Sequence, residues 1–292
     1  MGKALGPLRF AALGLLLGGL VLTVWAFYIE PNRLSINEVT VPLPDWPQDF
    51  DRLKVAVLSD LHVGAPYVKV DTLKRIVLTV NRSKPDLVVI LGDFVIQGVL
   101  GGRFIEPELI APELKGLQSR FGTFAVLGNH DWWYDGPRVM RALKGAGIFV
   151  LENEATQIQQ GDHLLWLAGL ADPLTRQPDI QGTFQRIPKG EPVLVLVHNP
   201  DIFPEIPSTA ALTLAGHTHG GQVHLPFLGR LIVPSKFGSR YAIGHIQEGS
   251  RHLFVTPGVG TSIIPVRFRV PPEISILTIT TMPEPAPTDQ DR

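Results

Sequence analysis

The chain has 292 residues, 45% hydrophobic and 18% charged, with a formal net charge of −1 at pH 7. Near-neutrality excludes a global field that would recruit nucleic acid or anionic lipid, and no nucleic-acid partner is predicted. With no cysteine, disulfides and thiolate metal sites are excluded, so any metal must be held by nitrogen and oxygen; the length suits one globular domain, with or without a membrane segment.

The first predicted element is a membrane anchor. After a short flank, residues 1–9, the stretch 10–29 carries no charge and reaches the ~20 residues that span a bilayer core. Lys3 and Arg9 precede it, Glu30 and Arg33 follow it, and Trp25, Phe27 and Tyr28 cluster at its far end. Amphipathic rings favour the membrane interface. A cleaved signal peptide is the competing reading, but the apolar stretch is long for one and no A-x-A site follows. The charge bias places the N-terminus in the cytoplasm and the body of this single-pass protein outside it. Gly14 and Gly18 form a G-x-x-x-G, a weak signal for a helix-dimer face.

Residues 30–52 read as a connector with a short edge strand, around Leu34, Ile36, Val39 and Val41. The body, 53–281, contains short apolar runs at 53–58, 87–91, 123–127, 164–170, 193–197, 212–215, 253–256 and 274–279. These predict buried strands. Helical spacing appears at 69–82, through Val70, Leu73, Ile76, Val77 and Val80, and further helices are expected at 106–119 and 137–146. The first half is thus β-α-β-α-β-α, with parallel strands. The second half has strands with few helices between them, which implies a second sheet facing the first. The expected fold class is α/β, two facing mixed β-sheets flanked by helices, preceded by one transmembrane helix. The tail 282–292 has three prolines and no apolar pattern, and is expected to be disordered.

The chemistry sits at the strand ends. Asp60 and His62 follow the first run, Asp93 the second, and Asn129, His130 and Asp131 the third; His198 and then His217 with His219 follow later runs. In an α/β sheet, loops at the carboxyl ends of strands converge on one crevice. Any one of these residues alone has a structural explanation, as a helix cap or a hydrogen-bonded core histidine. Seven candidate ligands, Asp60, His62, Asp93, Asn129, His198, His217 and His219, would be costly to bury together without a cation. They exceed one tetrahedral ion and suit two, with Asp93 as the natural bridge. Mixed nitrogen and oxygen donors suggest two divalent ions, manganese, iron or zinc, rather than calcium. Paired ions are an apparatus for in-line displacement at phosphorus.

These motifs, Asp60-x-His62, Gly92-Asp93, Gly128-Asn129-His130-Asp131, His198 and Gly216-His217-x-His219, resemble in order the signature of calcineurin-like metallophosphoesterases. The resemblance spans residues 54 to 219. Gly220-Gly221-Gln222, Pro226, Gly229, Thr256-Pro257-Gly258, Pro265-Val266-Arg267 and Pro272-Glu273-Ile274 look like a subgroup of bacterial phosphodiesterases with an N-terminal membrane segment, which implies an inner-membrane location. The resemblance implies that Asp60, His62 and His219 hold one metal and Asn129, His198 and His217 the other, with Asp93 bridging. It implies that His130 is not a ligand but a general acid or charge stabiliser near the leaving oxygen, oriented by Asp131. A turn cap is the alternative role for Asp131.

Other residues carry less. His163, His245 and His252 are expected at the surface, and His224 at a solvated strand position or facing the cleft. Arg267 is expected either to contact a phosphate or to form a surface ion pair. Trp132 and Trp133 are expected to pack over the third helix. The expected activity is hydrolysis of a phosphodiester, pyrophosphate or phosphomonoester by a water activated on the metals. A lipid-linked substrate is suggested by the anchor and by two apolar cleft-side loops, 99–105 and 225–233. The alternative is a non-catalytic, metal-stabilised membrane scaffold, which would have no use for His130.

Overall fold

The computed structural model describes residues 5–282. In chain order, α1 (Leu5–Val24) is followed by one π turn and one 3-10 turn to Asn32, then β1 (Ser35–Leu43), β2 (Leu53–Leu58), α2 (Val70–Arg82) and β3 (Leu87–Leu91). Next come α3 (Pro107–Leu114), β4 (Thr123–Val126), α4 (Asn129–Gly145), β5 (Phe149–Val150), β6 (Glu154–Gln160) and β7 (His163–Gly169). The chain ends with α5 (Ile180–Phe184), β8 (Val193–Leu196), β9 (Leu212–Ala215), β10 (Gly244–Glu248), β11 (Arg251–Val255) and β12 (Glu273–Thr281). The predicted disordered tail lies, apart from Met282, outside the described residues, as do the first four residues of the flank.

Alternation inside the apolar runs creates the layers. Along β3, Leu87, Val89 and Leu91 face one side and Val88 and Ile90 the other, because successive side chains alternate across a sheet. All five are buried, so the sheet is covered on both faces. Its order is β1-β12-β2-β3-β4-β5, with β2 to β5 parallel and β12 antiparallel to β2. The second sheet runs β10-β11-β9-β8-β7-β6. Its strands β7, β8, β9 and β11 are parallel, and the edge strands β6 and β10 are antiparallel to their neighbours. Both sheets are mixed and face each other, as expected.

The central layer joins Val55, Val57, Val89 and Leu91 of the first sheet to Leu167, Leu196 and Leu214 of the second. Val88, Ile90 and Ala125 bury the other face of the first sheet against Leu73, Ile76, Ile110, Val139 and Leu143 of the helices. Val195, Val197 and Leu253 do the same for the second sheet against Ile202, Phe203 and Tyr241. A one-residue slip in any of these strands would exchange its two buried faces, so register is strongly specified.

The structure adjusts several expected boundaries. The third helix begins at Asn129, not 137, but its path breaks at Asp135, where φ is −165° and ψ is 83°. Asp135 Oδ1 accepts from Arg138 N at 3.0 Å and caps the second half, just before Pro137, whose ring cannot continue an unbroken helix. The second helix stops at Leu114 instead of 119, where the Asn81 side chain captures the Gly116 carbonyl and the Gln118 amide. Strand β1 extends to Leu43, into the predicted connector, and pairs with β12 along its whole length. Helix α1 stands clear of the body, and the segment Arg9–Asn32 is long and apolar enough to cross a membrane, with a mean hydropathy of 2.2 over an 18-residue window.

Candidate metal centre

All seven expected ligands are buried, and each lies just past a strand end. Asp60 and His62 follow β2, Asp93 follows β3, Asn129 opens α4 after β4, His198 follows β8, and His217 and His219 follow β9. The turns that aim them inward are unusual. Asp60, His62, Asp93, His217 and His219 all have positive φ, between 42° and 67°. Side-chain-bearing residues adopt that region rarely, and such strain persists where the surroundings over-determine it, typically at ligand clamps.

Two glycines allow the loops to meet. A Cβ on Gly128 would lie 2.2 Å from Asp93 Oδ1, and one on Gly216 would lie 1.9 Å from Ser59 Oγ and 2.7 Å from Asp60 Oδ2. Neither contact is sterically possible, so both positions require glycine.

The donor atoms form overlapping groups. Asp60, His62 and His219 bring one ligand atom each within 4.8 Å of one another, and Asp93, His198 and His217 do the same. Asp93 Oδ2 stands 3.5 Å from His62 Nε2 and 3.3 Å from His198 Nε2, between the two groups. Asn129 Oδ1 is 3.1 Å from His198 Nε2. Nitrogen meets nitrogen at 3.2 Å in both groups, His62 against His219 and His217 against His198.

The outer ring nitrogens settle which inner ones are free. His198 Nδ1 lies 2.6 Å from Leu91 O and His62 Nδ1 lies 3.3 Å from Val95 O. A carbonyl can only accept, so each Nδ1 carries a proton, and in the neutral ring Nε2 turns its lone pair inward. This backbone orientation of imidazole is typical of metal-binding histidine. Asp60 Oδ1 is buried with no hydrogen-bond partner among the described residues, although Asp60 Oδ2 accepts from His217 N at 3.0 Å. Converging lone pairs and an orphaned carboxylate oxygen fit divalent ions with nitrogen and oxygen preferences.

Electrostatics favour ligation at three of the four imidazoles. Burial lowers His62 and His217 to about 3 and His219 well below the ordinary range, so these rings are neutral, as ligation requires. Burial raises Asp60 to about 6. Burial alone would raise Asp93 too, but the charge and hydrogen bond of His198 hold it well below the usual carboxylate range. Desolvation pulls His198 down, and Asp93 outweighs it to raise that imidazole well above its usual value.

His130 joins the cluster from the side. Its ring meets that of His62 edge-on, with centroids 4.7 Å apart, its amide donates to Asp93 Oδ1 at 2.9 Å, and burial lowers its pKa. One of its ring nitrogens lies within 4.8 Å of donor atoms of His62 and Asp93, while its Nδ1 has no hydrogen-bond partner among the described residues. Asp131 does not supply one. Its two oxygens accept from the backbone amides of Asp93, Phe94, Val95 and Gly128, so its hydrogen bonds go to the turns rather than to the His130 ring. In this position it holds the β3 and β4 loops in register, which is the capping alternative. Trp133 stands half exposed beside His130, with ring centroids 4.9 Å apart. Trp132 is partly buried against the helical layer, with the Arg176 guanidinium 4.4 Å from its ring.

Arg267 corrects both of its expected roles. It is fully buried and donates to the carbonyls of Val270, Pro257, Gly258 and Gly260. It is enclosed away from the surface and ties together the loop that backs Asp60 and His62, and burial lowers its pKa to about 10. His252 is also buried, against the surface expectation, 3.0 Å from the exposed His245. His163 is exposed and pairs with Asp49 at 3.2 Å.

Sequence reasoning missed Asp172. It follows β7 in the same strand-then-carboxylate pattern as Asp93, and that pattern would have found it. It is fully buried, its Oδ2 accepts from Thr175 Oγ1 at 2.7 Å, and its Oδ1 has no partner. Burial raises its pKa, with the charge of His198 opposing.

The sequence has relatives among known proteins. A family model described as calcineurin-like phosphoesterase matches residues 53–230. The metallophosphoesterase YkuE of Bacillus subtilis (strain 168) is 34% identical over 259 residues, 87% of this chain and 88% of that one. Phosphodiesterase YaeI of Escherichia coli (strain K12) is 32% identical over 261 residues, 86% of this chain and 90% of that one. A Danio rerio protein named transmembrane protein with metallophosphoesterase domain is 29% identical over 295 residues, 94% of this chain and 64% of that one. With strand-end motifs, facing sheets and relatives along most of its length in agreement, the chain belongs to the calcineurin-like phosphoesterase family.

Proposed function

We propose that this chain is a membrane-anchored phosphoesterase that hydrolyses a phosphodiester, pyrophosphate or phosphomonoester with two divalent ions and direct attack of water. The observation that carries the reading is Asp93 Oδ2, standing between two groups of histidine ligands. In this reading Asp60, His62 and His219 hold one ion, Asn129, His198 and His217 the other, and Asp93 both. Such ions, when bound, lower the pKa of a water and neutralise charge on phosphoryl oxygens. Manganese, iron and zinc all suit the donor set.

The protein's own residues do the rest. Leu91 O and Val95 O fix the two central imidazoles by their Nδ1 protons. Asp131 fixes the turns that present Asp93 and Asn129. In this reading His130, beside the shared carboxylate, serves the leaving oxygen as charge stabiliser when neutral and as general acid when protonated. Trp133 forms an apolar wall next to it. A scaffold without turnover would need none of these last features.

The phosphodiester reading is supported by the name of the relative YaeI. Anchoring is supported by the free-standing apolar helix α1 and by the name of the Danio rerio relative. The test is turnover by the purified full chain in detergent, with added manganese, on bis-p-nitrophenyl phosphate beside p-nitrophenyl phosphate. Metal-dependent release of p-nitrophenolate supports the reading, with the diester expected as the better substrate. A chain that binds two metals and turns over neither compound would be a scaffold.

A further inference from the structure

The loops around the metal centre leave apolar side chains uncovered. Phe227, Leu228 and Ile232 are exposed on the loop after His219, Ile263 and Ile264 on the loop before Arg267, and Leu100 on the loop after Asp93. Phe227 is 107% exposed and Ile232 80%. Single exposed leucines need no explanation, whereas a contiguous patch does. Backbone hydrogen bonds show that these loops adjoin. Leu100 N donates to Ile263 O at 2.8 Å, and the Gln222 side chain donates to the carbonyls of Ser262 and Ile264 at 3.1 and 3.2 Å. Ile263 has a φ of 59°, which a β-branched residue rarely adopts, and its side chain is nevertheless presented to the outside.

The apolar helix meets the same loops. Arg267 N donates to Ala26 O at 2.9 Å, Val270 N donates to Glu30 Oε1 at 2.7 Å, and the Tyr67 hydroxyl donates to Phe27 O. Ala26 and Glu30 are buried there. Helix α1 therefore leaves the body on the side of the metal centre. The four segments 63–70, 99–105, 225–233 and 261–271 contain no Asp or Glu, while Lys69, Arg103 and Arg269 are exposed on them. In a chain of net charge −1, this face is locally apolar and cationic, the pairing that suits lipid chains and anionic headgroups.

We propose that this face rests on the phospholipid bilayer, with Phe227, Ile232 and Ile263 inserted at the interface, and that the metal cleft takes phosphoesters carried by membrane lipids. The inference rests on the membrane-anchored phosphoesterase reading above and specifies its substrate class. The occupant is lipid rather than a protein partner because the patch is continuous with a helix that is itself exposed and apolar, with a mean hydropathy of 2.2 over an 18-residue window. That helix, once inserted, holds the patch at the membrane surface.

The absence of native cysteine makes the test direct. Single-cysteine variants of the full chain, Phe227→Cys, Ile232→Cys, Ile263→Cys, Leu20→Cys and Gln159→Cys, are labelled with bimane. They are then reconstituted in phosphatidylcholine–phosphatidylglycerol vesicles, with and without bromine on the upper acyl chain. Quenching is expected at 227, 232, 263 and 20 and not at 159, which lies exposed on an edge strand of the second sheet. Quenching at 20 without quenching at the loops overturns this inference and leaves the anchor intact. No quenching at 20 removes the anchor, and this inference with it.

A second measurement reads function. Phe227→Ser/Ile232→Ser should lower turnover of a lipid-borne phosphodiester in vesicles and leave turnover of bis-p-nitrophenyl phosphate unchanged. The expected loss is about tenfold or more, since inserting one large apolar side chain shifts partitioning by about that factor. Equal loss on both substrates would mean the loop shapes the cleft itself, and would overturn the inference. Inactivity of the unsubstituted chain on bis-p-nitrophenyl phosphate would instead sink the phosphoesterase reading.

Discussion

His130 and Asp93 separate chemistry from metal binding at the level of single residues. His130 touches the shared carboxylate through its amide, which the substitution His130→Ala retains. That variant should keep its metal by elemental analysis and lose about 10²–10⁴-fold in turnover, the usual scale of general acid–base help. Loss of metal in proportion to activity would make His130 a ligand, a result its place beside His62 and Asp93 makes worth checking. Asp93→Asn should lower the content of both ions at once, because one oxygen serves both histidine groups. Glu152 offers a pH experiment away from the ligands. Burial raises it from 4.5 to about 7, with the charges of Asp172 and Asp131 adding and that of Arg176 opposing. The folded chain keeps this proton where the unfolded chain has lost it, so the group's contribution falls as pH rises from about 4.5 to about 7. Glu152→Gln should therefore flatten the decline of Tm over that window and raise Tm at pH 8, by about 2–4 °C for each kcal/mol recovered. An unchanged difference between variant and parent across the window would show that Glu152 does not titrate differently on folding.

Loops at strand ends, not whole strands, are where this fold is under most constraint. The β9 loop approaches the β2 loop so closely that Gly216 cannot carry a Cβ without meeting Ser59 and Asp60. Gly216→Ala should push the two loops apart and separate His217 from Asp60, whose hydrogen bond now links them. The expected result is metal loss with retained far-ultraviolet circular dichroism, since the apolar strands on either side are untouched. Simultaneous loss of secondary structure would show that the close approach supports the sandwich itself. The same reasoning explains which elements were legible. Strands β2, β3, β8 and β9 are buried on both faces and read as unbroken apolar runs. Strands β6 and β10 are edge strands with polar sequences, Glu-Ala-Thr-Gln-Ile-Gln-Gln and Gly-His-Ile-Gln-Glu. Pairing with a neighbour stabilises them, and periodicity alone does not reveal that.

At the scale of the whole molecule, sidedness is the open variable. The positive flank of α1 favours a cytoplasmic N-terminus, so a reporter fused after Arg292 should show alkaline phosphatase activity; fluorescence from a cytoplasm-only reporter would reverse the orientation. The sequence by itself determined the order of strands and helices in the first half, the pair of facing sheets, and the seven candidate ligands. Each of these follows from local pattern: alternation, helical spacing, and a carboxylate or imidazole directly after a strand. Tertiary structure decided what distant segments do to one another. Arg267 could be assigned to phosphate or to solvent from its neighbours in sequence, and only folding showed it enclosed by the carbonyls of residues 257, 258, 260 and 270. Asp131 lies one residue from His130, yet its carboxylate is taken by amides 36 to 38 residues away. The exposed loops share one face with the turn that follows α1 because Arg267 N donates to Ala26 O and Val270 N to Glu30 Oε1, across more than 200 residues of chain. A contact between residues far apart in sequence has no period and no composition, so it becomes visible only when the chain is folded.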